Sequence, residues 1–232
     1  MNRTPYFVSD VMSSPVVAVD RSAPFKEIVE TLATWKVSAL PVLDAERIVV
    51  GVVSAADLLP KEEFRGNNPS RVEQVHRLAD LAKAGATTAA QLMSSPAVTI
   101  HGEAPLVQAA RKMAVDHVKR LPVVDAEGRL QGVVSRSDLL KVFLRPDEDL
   151  AVEIRREVVR RLFPGAEAVH VRVDNGVVTL SGTLTDTRLV PLASRLVRAV
   201  AGVVDVEWAL GGDASATADK PVIANKTSGT DD

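Results

Sequence analysis

Two short motifs place a serine hydroxyl three residues before an aspartate carboxylate. The first motif is Ser54 with Asp57, and the second motif is Ser135 with Asp138. Three residues are close to one helical turn, so both side chains of a motif can face one cleft. A carboxylate can accept two hydrogen bonds from a vicinal diol such as that of a ribose, and a hydroxyl beside the free N–H groups of a helix start suits a phosphate. The pattern is typical of a site for a ribose and a phosphate.

The same spacing also fits a capping box. Each motif stands where a β-branched run gives way to a predicted helix, which is where N-caps occur. A serine followed three residues later by an acidic residue can satisfy the free amides of its own helix start. The two interpretations are compatible if the serine caps the helix and the aspartate stays available to a ligand.

The two motifs occupy equivalent positions of an internal repeat. Residues 11–59 (the first repeat) recur as residues 92–140 (the second repeat) without a gap, with Met-Ser-Ser-Pro near the start, Leu-Pro-Val in the middle and Gly-Val-Val-Ser-x-x-Asp-Leu-Leu at the end. A unit of about fifty residues is short of what usually makes an independent hydrophobic core. We therefore expect the repeats to pack on each other and to form pseudo-twofold clefts between them.

The elements that position the motifs are predicted to follow the order β-α-β-β-α in each repeat. In the first repeat, residues 16–20 form a β-branched run, and Pro24 precedes apolar residues with helical spacing. Residues 39–43 and 48–53 are apolar runs around a polar turn, which predicts a hairpin that leads into the helix of the motif. The second repeat has the same pattern.

The segment between the repeats combines a linker with a helix. Residues 61–70 are charged and contain Gly-Asn-Asn-Pro, which predicts a turn or linker. Residues 71–83 carry apolar side chains at helical spacing, which predicts a connecting helix. Thr88 and Gln91 fit a capping box that begins a short helix before the second repeat.

The C-terminal part of the chain has a different pattern. A helix over 150–162, strands over 168–173 and 177–181 around an Asn-Gly turn, a second apolar-faced helix and a strand over 203–209 are predicted. These elements form a small α-β-β-α-β sandwich. From residue 211 onward small polar residues dominate, which predicts a disordered tail.

The composition is that of a soluble globular protein. The 232 residues are 46% hydrophobic and 25% charged, contain no cysteine and carry a formal net charge of −2. Neither a signal peptide nor a run of the ~18 apolar residues of a membrane span is found, so we expect a cytoplasmic protein. With 3% aromatic residues and little net charge, nucleic-acid binding is not expected.

No arrangement of residues indicates catalysis or a metal site. The four histidines are scattered, without the spacing or the acidic partners of a metal centre. The chain has no glycine-rich phosphate loop followed by lysine, no serine elbow between glycines and no dinucleotide-binding fingerprint. We therefore predict no catalytic residues, no metal ligands, no resident cofactor and no enzyme activity.

The repeated motifs carry a resemblance to a known family. Two β-α-β-β-α units with these three motifs in the same order resemble a tandem pair of CBS domains, the Bateman module, over roughly residues 8–145. The resemblance implies that the clefts between the repeats bind an adenosine-containing regulatory ligand: AMP, ADP, ATP, S-adenosylmethionine or a dinucleotide. It also implies a homodimer formed through the CBS pair.

The resemblance also implies site residues. In that family the aspartate holds the ribose hydroxyls, the serine lies near the phosphate, and apolar residues of the first two strands enclose the base. Carried over by position, the first site consists of Ser54, Asp57, Val17, Val37, Leu40 and Pro41. The second site consists of Ser135, Arg136, Asp138, Val98, Val118, Lys119, Arg120 and Pro122.

The second repeat carries more cations near its motif than the first. Positions held by Lys36, Ser38, Ala39 and Ala55 in the first repeat are held by His117, Lys119, Arg120 and Arg136 in the second. Cations beside a ribose-binding carboxylate suit a di- or triphosphate, so we expect the second site to bind charged nucleotides more tightly. The alternative is that these cations form a solvated face.

The C-terminal segment resembles a BON domain over roughly residues 147–212. The resemblance rests on Asn-Gly-Val-Val-Thr-Leu-Ser-Gly and on Ala-Gly-Val-Val-Asp-Val. That family is linked to binding of phospholipid or polymer surfaces. The arginines of its first helix form either a basic face for anionic lipid or a salt-bridged, solvated face. The second alternative follows because Glu153 and Glu157 stand about one turn before Arg156, Arg160 and Arg161.

Together these observations predict an α/β (α+β) protein of five segments. They are CBS repeat 1 at 8–66, a linker with a connecting helix at 67–90, CBS repeat 2 at 91–146, a BON domain at 147–212 and a disordered tail at 213–232. The predicted function is a regulatory sensor of an adenine nucleotide, with the BON domain as an interaction module for a protein or phospholipid partner. The alternative is a ligand-independent dimerisation scaffold whose BON domain docks on protein or anionic membrane.

Overall fold

The computed structural model describes residues 6–65, 77–164, 169–184 and 187–210. They fall into two compact units, within Met1–Leu144 and Arg145–Asp232. Part of the predicted linker and of the predicted connecting helix (66–76), and the predicted tail, lie outside the described residues. Among those described, no helix is both long and apolar enough to cross a membrane.

The first repeat folds in the predicted order. The short helix α1 (Val8–Val11) comes first. It is followed by β1 (Val19–Asp20), α2 (Phe25–Trp35), β2 (Ala39–Leu43), β3 (Val49–Ser54) and α3 (Ala55–Leu58). β1 pairs parallel with β2, and β2 pairs antiparallel with β3, so β2 is the central strand. α2 buries Ile28 and Leu32, one turn apart, against Leu40 and Val42 of β2.

The second repeat has the same topology. The segment between the repeats contains α4 (Pro60–Glu63) and α5 (Leu78–Gly85), and α6 (Ala89–Leu92) leads into the second repeat. The second repeat then contains β4 (Ile100–His101), α7 (Leu106–Val115), β5 (Arg120–Val124), β6 (Leu130–Ser135) and α8 (Arg136–Leu139). The strand pairings match those of the first repeat. The predicted capping box at Thr88 is confirmed, and α5 is the described part of the connecting helix.

The repeats exchange the short helices that precede them. α1 stands before the first repeat but hydrogen-bonds to the second, where the Val8 amide donates to the Ala104 carbonyl at 2.9 Å. α6 stands before the second repeat but hydrogen-bonds to the first, where the Ala89 amide donates to the Ala23 carbonyl at 2.9 Å. Leu92 of α6 is fully buried in the core of the first repeat, and burial of one such side chain contributes about 1.5–3 kcal/mol. Neither repeat has a complete core without the other.

The Met-Ser-Ser-Pro segments extend this exchange into the sheets. Ser13 forms two backbone hydrogen bonds with Val133 of β6, at 2.9 and 3.1 Å, and Ser94 forms the same pair with Val52 of β3. The methionine before each serine lies over a glycine of the other repeat: Met93 over Gly51, and Met12 over Gly132. Any side chain at these glycines would collide with the methionine. The motifs that recur at the start and at the end of each repeat are therefore parts of one contact between the repeats.

The second unit is a three-stranded sheet with helices. Its elements are α9 (Asp147–Ile154), a π-helical turn (Arg155–Val159), α10 (Arg160–Leu162), β7 (His170–Asp174), β8 (Val177–Gly182), a 3-10 turn (Thr187–Leu189), α11 (Val190–Arg198) and β9 (Asp205–Leu210). β8 is central, antiparallel to β7 and parallel to β9. The predicted Asn-Gly hairpin is confirmed: Asn175 and Gly176 have φ of 50° and 75°, and both amides donate to the Asp147 carboxylate.

The core of this unit joins the helices to the sheet. Leu150 and Ile154 of α9, Val197 of α11 and Val178 and Leu180 of β8 are almost completely buried in one cluster. The predicted α-β-β-α-β order and the mixed α+β class of the whole chain are confirmed.

Candidate functional site

Both Ser-x-x-Asp motifs form capping boxes. The Asp57 Oδ2 atom accepts hydrogen bonds from the Ser54 amide at 2.7 Å and from the Ser54 hydroxyl at 2.6 Å. The Asp138 Oδ2 atom accepts the equivalent bonds from Ser135 at 2.8 and 2.6 Å. The capping interpretation of the motif is therefore confirmed for both repeats. One oxygen of each carboxylate is used by the backbone of its own helix start.

The remaining oxygen of each carboxylate contacts a lysine. The Asp57 Oδ1 atom accepts a hydrogen bond from Lys83 of α5, while the Asp138 Oδ1 atom lies 2.7 Å from the Lys141 Nζ atom. Burial by itself would raise the pKa of the Asp138 carboxyl, but hydrogen bonds from Lys141 and Ser135 together lower that pKa below its ordinary value. Asp138 is thus held as a carboxylate at neutral pH.

A cavity of about 440 Å³ lies beside the first motif and is lined by both repeats. The first repeat contributes Ser38, Ala39, Val52, Ser54, Ala55, Ala56 and Asp57. The second contributes Ser94, Pro96, Ala97, Val98, His117, Val118, Lys119 and Arg120. The first repeat therefore supplies a carboxylate and two hydroxyls to this cavity, and the second repeat supplies three basic side chains.

The residues of this cavity, here called the Asp57 cavity, differ from the predicted grouping. That grouping puts Val98, Val118, Lys119 and Arg120 with Asp138, whereas in the structure they line the cavity of Asp57. The exchange of segments is the physical reason. Ser94 hydrogen-bonds to Val52 of β3, and the residues that follow Ser94 therefore lie beside the first motif. A cleft between two repeats takes its walls from both.

The other predicted wall residues have different surroundings. Leu40 is fully buried in the core of the first repeat, and Val17 and Val37 pack against that core. Pro41 and Pro122 are buried in the central strands β2 and β5. Ser135 and Asp138 lie at the start of α8, and Arg136 there donates to the Val118 carbonyl at 3.2 Å.

Arg120 connects the second repeat with the first through Ser38. Its Nη2 atom donates a hydrogen bond to the Ser38 hydroxyl of the first repeat. Burial lowers the pKa of its guanidinium, and the negative charge of Asp138 opposes that effect. Because arginine stays protonated, Arg120 brings a half-buried positive charge to the wall of the Asp57 cavity. The same charge interacts electrostatically with the carboxylate of Asp138.

Sequence reasoning missed several residues of this site. Lys83 and Ser38 belong to no motif, although Ser38 stands at the position equivalent to Lys119, which is a predicted site residue. Ser94 belongs to a Met-Ser-Ser-Pro segment, for which the sequence predicts no role in the site. Among the described residues, no group of three or more histidine, aspartate or glutamate side chains could hold a metal ion.

A second cavity, of about 390 Å³, shares Pro96 and Ala97 with the first. Its polar lining includes Arg21, Ser95 and Thr99. Its lining contains neither motif carboxylate, so a ribose diol would find hydroxyl oxygens there but not the charged acceptor of the first cavity.

The basic helix of the second unit is paired in part. Glu157 lies 2.6 Å from the Arg161 guanidinium, one turn later, and 2.9 Å from that of Arg156. Glu153 instead is buried and lies 2.6 Å from Arg145. The expectation of intrahelical pairing is thus met by Glu157, whereas the carboxylate of Glu153 holds the arginine that begins the unit.

Comparison with known proteins identifies both units. The CBS domain model matches residues 8–61 and 89–145, and the BON domain model matches residues 146–210. CBSX2, a chloroplastic CBS domain-containing protein of Arabidopsis thaliana, is 29% identical over 165 residues, which are 66% of this chain and 66% of CBSX2. Protein MJ1426 of Methanocaldococcus jannaschii is 26% identical over 153 residues, 59% of this chain and 90% of its own length.

A solved structure agrees with these matches. The crystal structure of CBSX2 in complex with AMP superposes with a TM-score of 0.53 and 31% sequence identity, and the match covers 60% of this chain and 97% of that chain. The matched share accounts for the repeats and their exchanged segments. This chain belongs to the CBS-domain family, as a tandem CBS pair followed by a BON domain.

Proposed function

We propose that the CBS pair binds an adenine nucleotide in the Asp57 cavity and acts as a regulatory sensor. The observation that carries the proposal is the composition of this cavity, in which a carboxylate faces His117, Lys119 and Arg120 across the boundary between the repeats. The ribose hydroxyls would bond to Asp57 and the phosphates would meet the basic side chains, as charge-assisted pairs. The complex of the related CBSX2 with AMP supports this ligand class.

The size and the walls of the cavity suit such a ligand. Small-molecule sites usually have volumes of about 300–1,000 Å³ with mostly apolar walls and few polar groups. The cavity of about 440 Å³ falls in this range. Val52, Val98 and Val118 supply apolar surface on which a base can lie.

The correspondence of the repeats suggests a second position of the same kind. It would lie at Ser135 and Asp138, with Val17 and Val37 in the places that Val98 and Val118 take in the first. Occupancy of both positions, a homodimer formed by the CBS pair and an interaction role for the BON domain complete the proposal. S-adenosylmethionine and dinucleotides remain ligands to test beside AMP, ADP and ATP.

Regulation follows from the shared walls. A nucleotide in the Asp57 cavity would contact both repeats at once and favour the arrangement in which they close on it. A ligand shifts an equilibrium only by its difference in affinity for the two states. The signal would therefore be a change in how the repeats meet, passed to a partner.

Titration calorimetry with AMP, ATP and S-adenosylmethionine tests the proposal. Replacing Asp57 by alanine removes the charge-assisted bonds to the ribose, each worth about 1.5–3 kcal/mol, and should weaken binding roughly ten- to a hundredfold. Asp138→Ala measures the second position in the same way. Glu30→Ala, at an exposed carboxylate of α2, is the matched control. Affinities that are unchanged in Asp57→Ala and Asp138→Ala would rule out these carboxylates as ribose acceptors.

A second candidate function is a ligand-independent dimerisation scaffold. The capping boxes favour it, because all four motif carboxylate oxygens already have partners. This candidate predicts no thermal stabilisation by any nucleotide, whereas a ligand at a hundred times its dissociation constant stabilises by about 2.7 kcal/mol. Co-sedimentation of the full chain with anionic vesicles, at low and high salt, separates a membrane-docking BON domain from a protein-docking one.

A further inference from the structure

The connecting helix α5 places a lysine on the carboxylate of the first motif. Lys83 donates a hydrogen bond to the Asp57 Oδ1 atom, although the two residues are far apart in the sequence. The two side chains are 23% and 13% exposed, so the pair is largely shielded from water. Since Oδ2 already accepts two hydrogen bonds from Ser54, Oδ1 is the oxygen on which a bound diol depends.

Two further polar links hold α5 to α4, the short helix that follows the first repeat. The Lys61 ammonium of α4 donates to the Ala84 carbonyl at 2.9 Å. The Arg77 guanidinium, just before α5, donates to Glu63 of α4 at 2.9 Å. α5 itself buries none of its side chains. Leu81 and Ala84 of α5 are half-buried, and Ala86, just after the helix, is buried in the core of the first repeat. Polar contacts add to this packing, and the Lys83 pair is more shielded from water than the pair of Arg77 with Glu63.

Within the described part of the chain, the second motif pairs with a lysine close to it in the sequence and not with one from the connecting helix. Its lysine partner, Lys141, lies three residues after Asp138, and its side chain is 53% exposed. A ligand that takes the Oδ1 atom of Asp138 would displace only a local, solvated side chain. A vicinal diol that donates both of its hydroxyls to the Oδ1 atom of Asp57 needs both lone pairs of that oxygen, and Lys83 of the connecting helix occupies one of them.

We propose that Lys83 is a built-in competitor for the ribose of a nucleotide in the Asp57 cavity. This inference rests on the proposed nucleotide site. When the vicinal diol bonds to Oδ1, the ammonium of Lys83 leaves, and α5 loses this shielded contact with the first repeat. Binding of a nucleotide in the cavity thereby loosens the helix in the segment that joins the two repeats. The competition lowers the affinity of the cavity for the nucleotide. Nucleotide binding favours release of α5, and release of α5 favours nucleotide binding by the same factor.

Replacement of Lys83 by methionine tests the competition. The methionine keeps the apolar stem but cannot hold the carboxylate, so adenosine and AMP no longer have to displace an ammonium. We expect calorimetry to give an affinity about tenfold higher for both ligands, the worth of one charge-assisted hydrogen bond. Lys141→Met is the matched control, in which affinity at the Asp57 cavity should change less than about twofold. Lys83→Arg, which keeps the charge, should bind no more tightly than the wild type.

Hydrogen exchange gives a readout that does not depend on the measured affinities. Saturating AMP should speed exchange of the amides of residues 78–85 in the wild-type chain and leave it unchanged in Lys83→Met, where the contact is already lost. Slower exchange in this helix with AMP, or a Lys83→Met affinity equal to or below that of the wild type, would overturn the competition while nucleotide binding itself stands. If neither protein binds any nucleotide, the proposed function fails, and this inference fails with it.

Discussion

The two Ser-x-x-Asp motifs have one backbone geometry and two different settings. Both close the same capping box, with nearly equal distances to the serine. Asp57 then meets a lysine from the connecting helix, and Asp138 meets a lysine of its own helix start. A repeated sequence reproduces the local structure, because that structure depends on neighbours in the chain. The differences arise from segments outside the repeat, and these are where the two motifs can acquire different functions.

The basic residues near the motifs also differ between the two repeats. His117, Lys119 and Arg120 belong to the second repeat but line the cavity of the first motif. The equivalent residues Lys36, Ser38 and Ala39 offer one cation. We therefore propose that charged nucleotides bind more tightly at Asp57 than at Asp138, the reverse of what grouping by repeat predicts.

Arg120→Ala should have the largest effect on this comparison. It removes a half-buried cation from the Asp57 cavity, and a hydrogen bond to a charged group is worth about 1.5–3 kcal/mol. We expect the affinity for ATP to fall roughly ten- to a hundredfold, while that for uncharged adenosine changes little. Calorimetry with both ligands measures the difference.

The matched control is Arg111→Ala, because Arg111 is exposed on α7 and does not line the Asp57 cavity. An equal loss for ATP and adenosine in Arg120→Ala would show that the side chain acts through its bond to Ser38 rather than through the phosphates.

Much of the fold could be predicted because its signals are local. The apolar spacing of α2, the turn at Asn175 and Gly176 and the capping box at Thr88 each depend on a few consecutive residues. The composition of the Asp57 cavity could not be predicted in this way. It depends on which repeat each Met-Ser-Ser-Pro segment crosses, and no periodicity within a repeat carries that information.

One signal of the exchange is nevertheless present in the sequence. Gly51 and Gly132 recur at equivalent positions, and so do Met12 and Met93. A glycine inside a strand often marks the close approach of another segment. In the structure each glycine contacts the methionine of the other repeat. The recurrence of a glycine and a methionine in each repeat is therefore explained by the contact between the repeats. Lys83 lies outside the repeats and had no such signal.

The glycines give a second way to compare the repeats. A Cβ atom at Gly132 would lie 2.6 Å from the Met12 Sδ atom and 3.1 Å from the Ser13 carbonyl oxygen, so backbone must move. The three atoms nearest to a Cβ atom at Gly51 all belong to the side chain of Met93, which is flexible and can adapt in part. We expect Gly132→Ala to destabilise the CBS pair by about 1–3 kcal/mol and Gly51→Ala by less.

Thermal unfolding of the full chain measures both glycine variants. Gly85→Ala is the matched control, since no other atom lies within 4 Å of the added carbon and the loss of unfolded-state entropy should leave stability unchanged or slightly higher. A larger loss in Gly51→Ala than in Gly132→Ala would mean that the two exchanged segments differ in a way that the contacts at the glycines do not explain.

The smallest expected effect concerns the pH dependence at Asp138. The pKa of this carboxyl is lowered in the folded state from its ordinary value of 3.8. Its contribution to stability is therefore present above pH ~4 and is lost as the pH falls through the lowered folded pKa. We expect Asp138→Asn to be less stable than the wild type at pH 6, by about 1 kcal/mol or less since its lysine partner is exposed. The difference should shrink as the pH falls through the lowered folded pKa. Urea unfolding across this range measures the difference, and Lys141→Met should reduce it; a difference that stays constant with pH would assign the effect to packing instead of charge.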